Sequence, residues 1–493
     1  MRVLLANPSW RREGRLGVRA GPRWAFTMPA GKEDAVPPYV PFPFFLAYAA
    51  AALERSGVEV QLIDAIAEGM DSPSFLTAVE DWAPDLVLLE TSTPSIDSDL
   101  ALSQEIKDCV PGVRLALSGP HVSALPIETL KAAPQVDFVL VGEYEYTLRD
   151  LTACLKARGD LGQVLGLVWR EADGAVGINP RRPLIANLDE LPWPARHLLP
   201  MHNYCDRFAG LPMPGLPMWA SRGCPFRCIF CVWPRVMYGG QTYRVRNPID
   251  VVDEMEQMAH RYNLRSVSFD DDTFDIGKPR ILTLCREIKR RNLGLPWTAM
   301  ARADTADREM LEAMAEAGLY AIKYGVESGV QELLDAAGKS LDLGKVKETV
   351  RITKELGVKV HLTFTLGLPG ETEETIRRTI DFAAEVDPDS VQFSIATPYP
   401  GTAYYEMARQ NGTLVARNWT DFDGADRAVV RTETMSPEEL EVALINARRQ
   451  WRWRQFRHNF WKRKGFYLQQ GAEESRSGDQ VPARGIVAES RVP

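Results

Sequence analysis

Histidine and cysteine are scarce in this chain: 6 and 7 among 493 residues. So few cysteines in so long a chain exclude a disulfide scaffold. Long apolar runs are missing too. The most apolar stretch, residues 39–53, is interrupted by Pro41 and Pro43 and is shorter than the roughly 20 residues that a spanning helix needs. It reads as the start of a buried core helix. Residues 1–8 lack a basic leader region and read as a short buried strand, so no secretory signal is expected. Positive charge is not in excess. A formal net charge of −8 argues against broad nucleic-acid binding, which needs a basic face. No nucleic-acid partner is expected.

What is present suits a globular protein, with 45% hydrophobic and 25% charged residues. The length exceeds one ordinary core and predicts two or three domains. Residues 1–160 alternate apolar strands (3–6, 60–63, 86–89, 113–117, 138–141) with helices (44–55, 73–82, 100–109, 143–156), and Gly57 follows the first helix as a stop. This pattern predicts an α/β domain with a doubly wound, flavodoxin-like parallel sheet. Such sheets bind ligands outside the carboxyl ends of their strands. Residues 161–216 read as a Pro-rich linker, packed through Trp193, Leu198 and Leu199, with a small hairpin pairing 165–170 with 177–178.

A second alternating series fills residues 217–405. Its strands are expected at 218–220, 266–269, 297–300, 320–323, 360–366 and 390–395, with helices such as 248–262 and 372–386. Six β/α units are too few for an eight-unit barrel, so a partial (β/α)6 barrel is expected. Residues 406–470 form a helical C-terminal extension. Ser436-Pro437-Glu438-Glu439 begins a helix there, with Ser as cap, Pro first and Glu third. Residues 471–493 are polar, and disorder is expected.

Three of the seven cysteines fall within eight residues: Cys224-Pro225-Phe226-Arg227-Cys228-Ile229-Phe230-Cys231. That clustering indicates a metal site in a reducing compartment, and a cytoplasmic location is expected. Thiolates suit zinc or iron–sulfur clusters. A structural zinc site wants four ligands, and the nearest fourth candidates, Cys205 and Cys285, make no matching pair. Three thiolates on a cubic cluster leave one iron open. The loop also follows the first strand of the second series, the place where barrel active sites are built.

The C-x3-C-x2-C spacing after that strand resembles the radical S-adenosylmethionine (SAM) enzymes. Further segments match in order: Phe269-Asp270-Asp271-Asp272-Thr273-Phe274, Tyr324-Gly325-Val326-Glu327-Ser328-Gly329, Leu366-Gly367-Leu368-Pro369-Gly370-Glu371-Thr372 and Thr397-Pro398-Tyr399-Pro400-Gly401-Thr402. The resemblance implies a [4Fe-4S] cluster on Cys224, Cys228 and Cys231, whose open iron binds SAM. An electron from the cluster would cleave SAM to methionine and a 5′-deoxyadenosyl radical, with the protein positioning and shielding the cofactors. It implies that Glu327 and Ser328 contact SAM, with Arg302 a further candidate. Gly367 and Gly370 would serve backbone turns that let SAM approach.

The first domain resembles the cobalamin-binding module of the class B radical SAM enzymes. Thr91 and Ser92, Ser118 and Gly119, and Gly142 follow its strands, and small residues there would admit the nucleotide tail of cobalamin. Many such modules carry D-x-H-x-x-G, whose histidine ligates cobalt. Here the segment reads Asp64-Ala65-Ile66-Ala67-Glu68-Gly69, and isoleucine cannot ligate a metal. Cobalamin should bind without that histidine. His121 is the nearest imidazole, and a hydrogen-bonded structural role is its ordinary reading.

The resemblance implies a cobalamin-dependent radical SAM C-methyltransferase acting on a small-molecule or lipid-like substrate. An oxidative cyclase or rearrangement enzyme is the alternative. A flavodoxin or ferredoxin would supply electrons. Radical methylthiolation is disfavoured, because only Cys109 and Cys154 precede residue 160, and the set of SAM-like segments argues against a non-catalytic sensor. Residues 448–464 carry eight Arg or Lys, no acid, and five interleaved aromatics. Such a helix can pack its aromatics on the protein while snorkelling its charges, or touch an anionic membrane.

Overall fold

The structure, a computed structural model, describes residues 1–19, 25–29, 39–206 and 210–476. One unit comprises residues 1–444, and a second begins at Ile445. The described part of the second is the continuation of a helix running Pro437–Arg476. Residues 471–476 are therefore helical where disorder was expected, and residues 477–493 lie outside the described ones. Of the basic aromatic segment, Trp453 and Phe456 are exposed and their rings meet edge to face. The side chains beyond 457 lie outside the described ones.

Two large sheets build the first unit. The strands of the first are β1 (Arg2–Asn7), β2 (Glu59–Asp64), β3 (Leu86–Glu90), β4 (Arg114–Ser118), β5 (Phe138–Leu140), β6 (Leu167–Arg170) and β7 (Val176–Ile178). Their order is β7-β6-β5-β4-β3-β1-β2. β1 to β5 are parallel in the flavodoxin-like order 2-1-3-4-5. β6 and β7, the hairpin expected from the sequence, add antiparallel and cap the β5 edge. Runs such as Leu86-Val87-Leu88-Leu89 are wholly buried because helices cover both faces. The helix Phe44–Arg55 is apolar all round and Ala-rich, so it lies in the interior. Its chain reverses at Ser56-Gly57, where Gly57 takes φ 69°.

The second sheet contains β8 (Gly215–Met218), β9 (Ser266–Phe269), β10 (Trp297–Ala301), β11 (Leu319–Glu327), β12 (Lys359–Leu366) and β13 (Ser390–Ile395). They lie side by side in chain order and all run parallel. This is the strand set that the partial-barrel expectation calls for. β8 ends earlier than expected. Trp219 and Ala220 leave the ladder because Trp219 Nε1 donates to the Asp270 carbonyl and Ala220 N donates to the Asp271 carboxylate.

Register sorts the second sheet into two faces. Val267, Ala299, Ile322, Val360, Leu362 and Phe393 share the apolar face. Tyr324 on that face meets Thr353 of the helix Leu343–Glu355, so it packs against the helical layer. Ser268, Thr298, Lys323, His361, Thr365 and Ser394 share the other face. The helix Glu373–Val386 begins with a Thr372–Thr375 capping box, and Ser436 with Glu439 forms another as read from the sequence.

Candidate active site

The approach to the first cysteine is a strand, Ser221–Cys224, paired antiparallel with Thr242–Val245. The sequence pattern alone indicates a loop at this place. Gly223 takes φ 92°, and a Cβ there would stand 2.2 Å from the Thr242 carbonyl oxygen, so only glycine fits. The acidic segment after β9 holds this strand by its backbone. Asp271 accepts from Ala220 N at 3.2 Å and from the Ser221 hydroxyl, and Asp272 accepts from Gly223 N at 2.8 Å. The Thr273 hydroxyl lies 3.3 Å from Cys224 Sγ. Burial pushes Asp271 up to about 6 and Asp272 up to about 7.

The rest of the cysteine loop docks on residues 337–339 and 404. Ile229 N donates to the Ala337 carbonyl, and Tyr404 N donates to the Ile229 carbonyl, each at 3.0 Å. A Cβ on Gly338 would come within 2.8 Å of the Arg227 carbonyl oxygen. The Arg302 guanidinium stacks 3.6 Å from the centroid of the Phe226 ring. It also grips Asp304 through two hydrogen bonds of 2.9 and 2.8 Å and donates to the Lys339 carbonyl. Arg302 thus reaches the cysteine loop, held by protein partners.

Burial raises the thiol pKa of Cys224 and lifts that of Cys231 well above the ordinary value; for Cys231 the neighbouring Cys228 and Cys224 add repulsion. A cationic iron centre would offset the burial that disfavours the Cys224 and Cys231 thiolates. Among the described residues no three His, Cys, Asp or Glu side chains converge on one ion position. A cubic cluster asks each thiolate to hold its own corner, and Cys224, Cys228 and Cys231 supply three thiolates from one loop.

Glu327 ends β11 at a break in register with β12, and its φ is 74°, in the left-handed region that strains a residue with a Cβ. Its carboxylate accepts from Lys339 Nζ at 3.0 Å and from the Thr365 hydroxyl at 2.8 Å. Lys339 is buried and also feels Cys228, so it stands between Glu327 and the cysteine loop. Nothing in Gly338-Lys339-Ser340 signals this role in the sequence. Ser328 turns toward the helix Glu373–Val386, with its hydroxyl 3.2 Å from that of Thr379. It is not brought to the Glu327 carboxylate's partners. Gly367 and Gly370 take φ 90° and 83°, as turns need. Gly367 is fixed by donation to Glu371 and by accepting from the Tyr404 hydroxyl at 2.6 Å.

At the carboxyl edge of the first sheet, Thr91 N and Thr91 Oγ1 both donate to the Ser118 carbonyl at 2.8 Å. A Cβ on Gly119 would meet the Thr91 carbonyl oxygen at 2.2 Å, and one on Gly142 would meet Arg181 and the Met237 carbonyl. A side chain at either glycine would run into neighbouring chain, so close packing of protein on protein alone already asks for their small size. Ser92 caps a short turn with Ser95. Asn7, Asp64 and Glu90 end neighbouring strands and are buried. Asp64 accepts from Asn7 at 2.9 Å and from the Tyr204 hydroxyl at 3.0 Å. Ile66 is buried beneath Val18 and Met28. His121 lies 3.3 Å from the Thr93 hydroxyl and edge-on to Trp419, and burial lowers its pKa to about 4, so it is neutral at ordinary pH.

Comparison with known proteins matches residues 220–383 to the radical SAM superfamily and residues 35–152 to the B12 binding domain. An uncharacterized methyltransferase of Pyrococcus horikoshii is 33% identical over 405 residues, spanning 82% of this chain and 86% of that protein. An anaerobic magnesium-protoporphyrin IX monomethyl ester cyclase of Cereibacter sphaeroides is 28% identical over 443 residues, spanning 86% and 69%. The solved structure of TsrM, a radical SAM methyltransferase of Kitasatospora setae with cobalamin and a [4Fe-4S] cluster bound, superposes with TM-score 0.65 at 21% identity, covering 84% of this chain and 76% of that one, and so shares the fold. With a B12-binding sheet ahead of a radical SAM sheet, and a relative one-third identical across most of its length, this chain belongs to the cobalamin-binding radical SAM enzymes.

Proposed function

We propose that the chain is a cobalamin-dependent radical SAM C-methyltransferase acting on a small molecule. The observation that carries this is the cysteine loop docked against Arg302 and residues 337–338, next to the Lys339–Glu327 pair. Cys224, Cys228 and Cys231 would hold the cluster, Glu327 and Arg302 would orient SAM, and the carboxyl edge of the first sheet would seat cobalamin. When bound, these cofactors supply a carbon radical and a methyl donor. The protein's own residues position, desolvate and exclude water. The polar face of the second sheet, with Ser268, Thr298 and Lys323, would line the reaction space. A cleft bounded by Tyr39, Phe42, Tyr204, Asp206, Ser268 and Asp270 opens beside it.

The module boundaries are proposed as 1–160, 161–216, 217–405 and 406–470. A flavodoxin or ferredoxin is the proposed electron donor and the cytoplasm the proposed location. No helix among the described residues is long and apolar enough to cross a membrane. Peripheral contact through 448–464 is retained for a lipid-like acceptor. The test is anaerobic reconstitution with iron, sulfide and cobalamin, followed by analysis of SAM products with candidate acceptors. S-adenosylhomocysteine together with 5′-deoxyadenosine supports methyl transfer. 5′-Deoxyadenosine alone, with the substrate consumed, moves the assignment to the cyclase reading.

A further inference from the structure

Two residues before the first cluster cysteine lies Arg222, and its side chain is 2% exposed. Its Nη1 donates to Glu143 Oε1 at 2.9 Å and stands 2.6 Å from Glu145 Oε1. Both glutamates follow β5 at the carboxyl edge of the first sheet, Glu143 directly after Gly142 and Glu145 at the start of the helix Glu145–Ala157. Glu143 uses its other oxygen for the second strand of the cysteine hairpin, accepting from Arg244 Nη1 at 2.8 Å. The same oxygen accepts from Ile185 N in the linker at 3.0 Å. Phe45 and Tyr48, from the helix Phe44–Arg55, and Trp219 place their rings 4.7–5.1 Å from the Arg222 guanidinium carbon. One carboxylate of the first sheet thereby grips both strands that present Cys224.

A buried ion cluster is a poor way to gain stability, since packed apolar side chains of the same volume do as well or better. What charges add is a single allowed geometry: displacing the hairpin would part Arg222 and Arg244 from Glu143 and Glu145. We infer that Glu143 and Arg222 form a positioning joint that locks the cysteine hairpin to the ligand-bearing edge of the first sheet, so that a corrinoid seated on that edge restrains the hairpin. The coupling half of this inference rests on the proposed cobalamin site. The locking half does not.

The test is hydrogen exchange by mass spectrometry on the full-length chain, with and without hydroxocobalamin. In Glu143→Gln, amides of 219–224 and 242–246 are expected to exchange at least about tenfold faster, the factor carried by one charge-assisted hydrogen bond. Amides of β12 should keep their rates. Arg244→Met, a milder variant at a partly exposed residue, should move the hairpin in the same direction. Cobalamin should slow hairpin exchange in the parent chain and lose that effect in Glu143→Gln. Hairpin exchange at parental rates in both variants overturns the joint, as does equal acceleration throughout the chain. Equal protection by cobalamin in parent and variant overturns the coupling. A parent chain that takes up no cobalamin would sink the functional assignment, while the cobalamin-free comparison still decides the joint.

Discussion

The two parallel sheets of this protein bury their surfaces differently. β1 to β5 are largely apolar and mostly buried, and their buried polar residues gather where the strands end, at Asn7, Asp64, Glu90 and Ser118, with Gln61 of β2 a half-buried exception. The second sheet is apolar toward its helices and polar on its other face, from Ser268 and Thr298 to Thr365 and Ser394. A sheet of the first kind can only offer a ligand its edge. One of the second kind can offer its edge and its face, and so can surround a reacting molecule. Division of labour between a platform and a chamber follows from side-chain alternation alone.

The sharpest break between the two sheets is expected from replacing Cys224, Cys228 and Cys231 together by Ala. Iron–sulfur absorbance should vanish while cobalamin uptake at the first sheet persists. A triple variant that reconstitutes a full cluster refutes the metal assignment.

Next in size is Glu327→Ala. Its carboxylate is proposed to orient SAM and not to bind iron, and in the structure it ties Lys339 to Thr365. SAM cleavage should fall by about ten- to a hundredfold, the range for a charged hydrogen bond, with iron content little changed. Parallel loss of iron would show that the Lys339 pair supports the cysteine loop and that SAM is bound elsewhere.

A smaller effect concerns the first sheet alone. Burial pushes Glu90 up to about 7, against the opposing pull of Arg19. The folded chain keeps this proton well above the pH, about 4.3, at which the unfolded chain releases it. Stability from Glu90 is therefore full at low pH and is lost as pH rises through about 7. In cofactor-free protein, Glu90→Gln should raise Tm at pH 8, by up to about 3 kcal/mol of stability, and change it little at pH 4. An unchanged pH profile would mean that Glu90 is charged in the fold.

The smallest expected effect is none at all. Ile66 lies in an apolar cluster and His121 is held at Thr93 and Trp419. Cob(II)alamin bound to the protein should show no nitrogen splitting in its paramagnetic resonance, and His121→Ala should leave the spectrum as it was. Splitting that disappears in this variant would place an imidazole on the metal.

Much of this contrast is legible in the sequence. Runs such as Leu86-Val87-Leu88-Leu89 announce buried strands, and the cysteine spacing marks its loop. Helix starts are visible wherever caps are local, as at Thr372 and Ser436. What escapes is whatever depends on partners distant in the chain. Ser221–Cys224 reads as a loop because its strand partner lies some twenty residues away and its backbone is held by Asp271 and Asp272. Lys339 carries no motif, since its role exists only once β11 brings Glu327 beside it. Gly119 and Gly142 read as room for a ligand, and the direction that a side chain would take there is occupied by Thr91 and Arg181. Glycine reports close approach without naming what approaches.

The left-handed backbone of Glu327 has an evolutionary consequence. At φ 74° glycine would be the more comfortable residue, and Glu327→Gly would remove the strain of a Cβ in that region. The same change would leave the buried Lys339 ammonium without its carboxylate, a cost that opposes the relief of strain. Strained backbone and buried ion pair are therefore tied together at this one position: a lineage could shed the carboxylate at low cost only after it had also lost the lysine, so the two residues should disappear as a pair or not at all.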